Sequence, residues 1–383
     1  MARTRLAAGI DEIGGEEWDA LLDADDPGYP FLRHGFLRTL EATGCVGPGT
    51  GWEPRHLTLR DDAGRLLGAV PLFRKRHSFG EFVFDFAWAH AYHRLGLDYY
   101  PKLVAAVPFT PVTGPRLLAA DDDTRQALAR TLAGLPAADG ASSLHLLFPR
   151  ARDRAAAAAA GAILRRDCHF LWRNRDYRDF DDFLARLSAK RRKQIRRERR
   201  RVAEAGIRVR TVPPDEVDDD LRERIYAFYA RTYLIRGQAP YLTPDFFRRI
   251  ETALPDRVRY FLACEGTRPV AAAFMLVGDD TLYGRHWGSL ADYHSLHFET
   301  CYYAGIDYCI EHGLARFDAG AQGEHKIRRG FEPAATYSAH FVVEPALRGP
   351  IADFVDREGG LIADWHHEQR RRCAFPDADE IET

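Results

Sequence analysis

The strongest constraint on the fold lies between residues 259 and 289. There "RYFLACE" passes through the turn "GTR" into "PVAAAFMLVG", and the turn "DD" leads on into "TLYGRHWG". Two β-rich apolar runs joined by so short a polar turn pair as a hairpin, and the third run extends them as an antiparallel meander. The period then changes. In "LHFETCYYAGIDYCIEHG", Phe298, Tyr302, Gly305 and Cys309 fall on one helical stripe, and a short strand, "LARFDAG", follows. A meander, a helix and a further strand predict an α/β (α+β) fold of mixed sheets flanked by helices.

A weaker copy of this order occupies the first half. Short helices at "EEWDALLDAD" and "FLRHGFLRTLEATG" precede "RHLTLR", the turn "DDAG" and "RLLGAVPLFRK", which read as a hairpin. The alternation in "EFVFDFAW" predicts a third strand. The copies share element order, not residues. A chain of 383 residues holds two ordinary domains, expected over 1–165 and 166–383. The Ala-rich helix "RDRAAAAAAGAILRRD", stopped by Gly161, and a strand around "CHFLWRN" mark the join.

The formal net charge is -2, so any attraction for polyanions must be local. It is concentrated in one place. From Arg186 to Arg201 there are ten Lys/Arg and one Glu, a net of +9. The run predicts a helix over 188–205, with Ser188 at its start and Gly206 as its stop. Lys190, Lys193, Arg197 and Arg201 line one ridge, with Arg192, Arg196 and Arg199 beside it, and Leu187, Ile195 and Val202 form a narrow apolar seam. Like charges at i, i+4 repel by about 0.2–0.5 kcal/mol per pair. So many together argue for phosphate contact, assigned to Lys190, Arg192, Lys193, Arg196 and Arg197. The helix lacks the interleaved aromatics of a single-strand binder, which favours backbone-phosphate contact over base readout.

The six cysteines form no C-x-x-C pair, and their spacing fits no zinc site; no metal is expected. The N-terminus carries no apolar signal core and no apolar run reaches the ~18 residues of a membrane helix. A cytoplasmic protein without integral membrane association is therefore expected.

Several long motifs together carry a resemblance: "HSFGEFVFDFAWAHAY", "PFTPVTGPRLL", "KRRKQIRRERR", "LYGRHWGS" and "GAQGEHKIRRGFEP". Over about residues 18 to 355 the chain resembles the bacterial FemAB-like proteins, labelled peptidoglycan biosynthesis/recognition, of the GNAT acyltransferase superfamily. The resemblance implies tandem GNAT-like domains and transfer of an acyl group to an amine. Fem transferases take an aminoacyl group from aminoacyl-tRNA to a peptidoglycan precursor; other GNAT proteins use acyl-CoA. Neither donor is a permanently bound cofactor. The glycine-rich acyl-CoA loop is missing from "GRHWGSLADYHSLHFETC". Only Gly288 follows the strand there, and Glu299 would compete with an anion for the helix amides. A tRNA-linked donor and a peptide or cell-wall-precursor-like amine acceptor are favoured. A GNAT N-acetyltransferase using acetyl-CoA is the alternative, and a non-catalytic module binding peptidoglycan precursors or RNA is the second.

Amide formation needs a group to take the amine proton and donors for the developing oxyanion. In Fem-like transferases a cation from the loop matching "GEHKIRRGFEP" approaches the donor carbonyl, which leaves Lys326 and Arg328 both open. The catalytic candidates are Lys326, His325, Glu324 and Glu299. Expected substrate contacts are Arg328, Arg329, His286 and Trp287 in the second half, and Trp88, His90, Tyr99, Tyr100 and Lys102 in the first, where aromatic and polar side chains suggest a cleft.

Overall fold

The computed structural model describes residues 2–321 and 323–375. The chain forms two compact units: Met1–Asp167 with Ala335–Ala363, and Cys168–Ala334 with Asp364–Thr383. Residues 335–363 leave the expected second domain because Ser338–Val342 pair with Ser143–Leu147 of the first unit.

The first unit carries an antiparallel sheet in the order Arg3–Ala7, His56–Arg60, Leu66–Val70, Leu118–Ala119. After Pro71 the chain changes sheets. Leu72–Lys75 pairs with Trp52–Pro54 on one side and Lys102–Ala105 on the other. Lys102–Ala105 then runs parallel to Ser143–Leu147, and the crossover contains the helix Asp122–Ala138, capped by the Asp121 carboxylate on the Thr124 amide. Leu128, Ala129 and Leu132 of that helix pack on Leu57, Val70, Leu103 and Leu144.

The expected third strand at "EFVFDFAW" does not form. Phe82 has a φ of 61°, and the chain enters a helix at Phe86–Arg94. Glu81 and Asp85 turn inward onto Lys102 instead, so charge pairing overrides the strand alternation.

The second unit carries the meander Val258–Glu265, Arg268–Val277, Thr281–Ser289, with Ile207–Val212 on its outer side. Thr281–Tyr283 runs parallel to Arg316–Asp318, which pairs antiparallel with Leu171–Arg173. Alternation divides the faces. Ala273, Met275 and Leu282 meet Tyr303, Ile306 and Phe317, whereas Phe274 meets Phe246 and Phe247 of the helix Pro244–Ala253.

Two irregularities shape the middle of this sheet. Gly284 pairs with Met275 but His286 pairs with Phe274, so Arg285 is an extra, bulged residue and the side chains after it switch faces. The parallel pairing also ends at Tyr283 and Asp318, although its strand continues to Ser289. Beyond that point the two strands no longer share a ladder, and the chain after Asp318 leaves the sheet.

Candidate active site

The chain after Asp318 carries "GEHKIRRG". Gly323 (φ 109°) and Gly330 (φ 88°) bound a 3-10 helix at Glu324–Arg329. A side chain at Gly330 would also strike the Phe183 ring, 2.6 Å away. Because a 3-10 helix repeats every three residues, Lys326 and Arg329 share the buried face while His325 and Arg328 share the exposed one. The four basic side chains are thus sorted by the turn geometry into two inside and two outside.

Lys326 is 1 % exposed. Its Nζ donates to the Gly320 carbonyl at 2.5 Å and lies 5.9 Å from the centre of the Tyr302 ring. Burial lowers its pKa to about 8; Asp318 and Cys301 oppose the shift and Arg285 adds to it. The exposed His325 has its Nε2 2.9 Å from the Tyr302 hydroxyl. Burial, then Arg329 and Lys326, push the imidazole below its ordinary value. The His297 ring is 5.2 Å from Tyr302 and 6.2 Å from His325, and burial followed by the His325, Lys326 and Arg329 charges lowers it to about 4. Trp287 joins the group through His297, 5.5 Å between ring centres.

The basic helix, Ala189–Glu204, is tied directly to this loop. Its single interior acid, Glu198, is buried and takes both arms of Arg329: Nη2 to Oε1 at 2.9 Å and Nε to Oε2 at 3.1 Å. Gln194 Nε2 adds a bond at 2.9 Å and the Tyr303 hydroxyl another. Tyr303 reaches it from a π-helical turn, Glu299–Tyr303, that also sets the adjacent Tyr302 against His325. The Arg329 guanidinium then covers the Phe298 ring at 3.4 Å.

Several expected contacts are corrected by these positions. Arg329 is the buried partner of Glu198, not a free arm for substrate. Glu299 is bonded to Arg199, Oε1 to Nε at 3.1 Å, and lines a cavity with Arg199, Asp307 and Glu311 instead of joining Lys326. His286 is carried by the bulge to the opposite face, where it packs 4.9 Å from Tyr229 and is pushed well below its usual pKa by burial. Arg192 donates to the carbonyls of Ala185 and Leu187, and Arg196 pairs with Asp181 at 3.0 Å, so both serve the helix locally. No ion pair is found for Lys190, Lys193 or Arg197 among the described residues.

The expected cleft of the first unit is instead a sealed polar core. Lys102 is fully buried and donates to Ser78 Oγ at 2.9 Å, Glu81 Oε2 at 2.8 Å and Asp85. Tyr99 donates to Asp85 at 2.6 Å, Tyr100 meets Ser78 at 2.9 Å, and Trp88 packs on His340, which touches His145. Burial and the Glu81 and Asp85 charges act in opposite senses on Lys102, and the carboxylates prevail, raising it. Of that predicted group only His90 is exposed.

A concave feature beside Lys326 was not foreseen. A cavity of about 670 Å³ is lined by Lys190, Arg191, His325, Arg328, Arg371 and Arg372, with Glu324 as its one acid. Burial and the charges of Arg328 and Arg329 lower the pKa of Arg191, the mark of cations crowded together without enough counter-charge. Arg371 ends a helix, Pro345–Arg371, and Arg372 follows it, some forty residues downstream of Arg328. No spacing rule joins such distant positions. Tyr302 was visible only as part of an apolar stripe.

A profile of the FemAB-like family, described as peptidoglycan biosynthesis/recognition, matches residues 9–376. The solved structure of FemX is similar, with a TM-score of 0.53 and 12% identity over 89% of this chain and 98% of FemX. L-PGS from Bacillus licheniformis aligns at a TM-score of 0.52 and 12% identity over 91% of this chain and 97% of that one. The C-terminal domain (DUF2156) of a putative lysylphosphatidylglycerol synthetase from Agrobacterium fabrum aligns at 0.54 and 11% identity, covering 89% and 95%. These likenesses carry the fold: two GNAT-like units in tandem, mixed sheets flanked by helices. No curated protein sequence matches the chain. Among the described residues no helix is long and apolar enough to cross a membrane.

Proposed function

The chain belongs to the FemAB-like family of GNAT-fold acyltransferases, and from that premise we propose that it transfers an aminoacyl group from aminoacyl-tRNA to the amine of a peptide or cell-wall-precursor-like acceptor. The observation that carries the reading is that Lys326, a buried cation bonded to the Gly320 carbonyl, lies between His325 and Ile327, two residues that line the cation-rich cavity together with Arg328. The cavity suits the phosphates at the end of a charged tRNA. In this reading the ester carbonyl passes His325 to reach Lys326.

In the proposed reaction the acceptor nitrogen attacks the ester carbonyl. The Lys326 ammonium donates to the oxygen as negative charge builds on it, an interaction stronger in the transition state than in the substrate. His325, held by Tyr302, takes the proton from the attacking amine and returns it to the departing ribose oxygen. The C–N bond forms, the C–O bond breaks, and no enzyme-bound acyl group is needed. Glu324, exposed on the same turn, orients the amine as it enters.

The acyl-CoA reading fares less well. Gly288, the one glycine after the strand, serves packing: a Cβ there would lie 1.8 Å from the Phe228 carbonyl oxygen. Binding to charged tRNA at two salt concentrations, alongside thermal stabilisation by acetyl-CoA, tests the proposal. Salt-sensitive tRNA binding that is lost in Arg191→Glu/Arg328→Glu is expected. Stabilisation by micromolar acetyl-CoA without tRNA binding overturns it.

A further inference from the structure

A second surface stands apart from this chemistry, on the first unit. Five large apolar side chains are exposed within nineteen residues of sequence: Phe79 (57%), Phe84 (61%), Phe86 (43%), Leu95 (54%) and Leu97 (38%). The Phe86 ring meets both of the others, with centres 6.2 Å from Phe79 and 6.5 Å from Phe84. Folding ordinarily buries such residues, and so compact an aromatic patch marks an interaction site.

The patch is held rigidly. The residues alternating with the exposed phenylalanines are Ser78, Glu81 and Asp85, all buried, and they are gripped by Lys102. Lys75 Nζ donates to the Phe79 carbonyl at 3.1 Å, and Trp52 Nε1 does so at 3.2 Å. Arg165 holds the Phe84 carbonyl at 2.8 Å while its other nitrogens grip Glu358. Sinking two lysines and two carboxylates into a unit is costly. Here their common effect is to fix one loop with its rings pointing outward. The helix that follows continues the surface: Trp88 and Tyr92 face the core, while Phe86, His90, His93 and Arg94 are exposed, with Leu97 beyond its end.

Size and charge select the occupant. At about 200 Å² per aromatic side chain, the three rings expose roughly 300 Å². A stable protein interface needs about 800 Å² per partner, so a second copy of the chain would gain too little. Projecting rings with cations beside them suit a deformable, negatively charged surface. From Arg76 to Asp98, Glu81 and Asp85 are buried and the exposed acid is Asp98, past the end of the patch; Arg76 shares its charge with Glu53, and Arg94, next to the exposed His93, has no ion pair among the described residues. We propose that this corner is a peripheral docking site for an anionic lipid bilayer, entered by Phe79, Phe84 and Phe86, with Arg94 at the level of the headgroups. The proposal is independent of the acyl-transfer reading.

Co-sedimentation with vesicles tests it, using phosphatidylcholine alone and phosphatidylcholine mixed with phosphatidylglycerol. The full chain is expected to pellet with the mixed vesicles. Phe79→Ser/Phe84→Ser/Phe86→Ser should weaken that partitioning by at least about tenfold, and Arg94→Glu should weaken it most at low salt. The substituted side chains are exposed, so the melting temperature should stay near wild type; Phe84→Ser alone carries the test if the triple variant folds poorly. The idea is overturned if the wild type stays in the supernatant, or if the serine variants pellet equally well. It is also overturned if the wild type sediments as a dimer that the serines dissociate, since a second copy then covers the patch.

Discussion

Replacing Glu198 with alanine removes the carboxylate on which the basic helix and the Lys326 loop both depend. In the wild type that carboxylate accepts two bonds from Arg329, at 2.9 and 3.1 Å, one from Gln194 at 2.9 Å, and one from Tyr303. The variant leaves the Arg329 guanidinium buried with its counter-ion gone, which costs about 3–5 kcal/mol for a pair of this kind. Arg329 keeps three partners, the His325 carbonyl at 2.8 Å, the Tyr303 hydroxyl at 3.0 Å and the Phe298 ring, which places the loss near the lower end, about 3 kcal/mol. Glu198→Gln retains an acceptor and should lose roughly half as much. For a unit of this size, 3 kcal/mol corresponds to a fall of roughly 6–12 °C in Tm.

Scanning calorimetry on the full chain reads the effect on the second unit. A double-mutant cycle with Arg329→Met isolates the pair: the double variant should recover most of the loss, giving a coupling of roughly 2–3 kcal/mol. A loss below about 1 kcal/mol for Glu198→Ala, or additive single and double variants, would refute the view that this pair fastens the loop. The link to function is separately readable. The loop places Lys326, so Glu198→Ala should depress kcat more than Arg196→Ala, whose Asp181 partner is exposed.

Three further outcomes follow from the same geometry. Lys326→Met should lower kcat/KM by on the order of a hundredfold to a thousandfold, as expected for loss of an oxyanion donor, with melting unchanged or raised because a buried charge is removed. With the ammonium as the working form and neutral His325 as the base, kcat/KM should fall at low pH as His325 gains a proton, below the ordinary imidazole value, and fall again as pH rises through about 8, the value to which burial brings Lys326; Lys326→Arg should abolish the high-pH fall. Gly288→Ala should destabilise the second unit by at least about 1–3 kcal/mol, since its Cβ would lie 1.8 Å from the Phe228 oxygen; denaturant unfolding measures it, and a neutral result would mean the helix Asp219–Leu234 shifts freely.

How far the sequence could be read depended on range. The meander Val258–Ser289, the helix after it and the strand Arg316–Asp318 stand where hydrophobic period and turn residues put them. Lys326 and His325 were also legible as candidates, because they lie in one short motif that the family resemblance brings out. "EFVFDFAW" failed because period alone cannot say that its inward acids will meet Lys75 and Lys102. Arg285 gave no sign of being the bulged residue, and that one insertion decides that Trp287 faces the candidate site while His286 faces the other helices. Arg371 and Arg372 lay too far along the chain for any spacing rule to bring them to Arg328.

The basic helix shows why a charge run cannot be assigned as a block. Ten cations in sixteen residues would repel strongly if they were equivalent, and the fold makes them unequal. Arg199 is spent on Glu299 and Asp307, Arg196 on Asp181, and Arg192 on two backbone carbonyls. The helix is oriented by its one interior acid, Glu198, which points inward and bonds Arg329. That orientation swings Lys190 and Arg191, at the helix start, toward Arg328, Arg371 and Arg372. The surplus charge therefore gathers at one end, beside Lys326, where an anion would relieve the crowding recorded at Arg191. A single buried carboxylate thus converts a repulsive stripe into a localised site, and it is the residue whose loss should disturb stability and anion binding together.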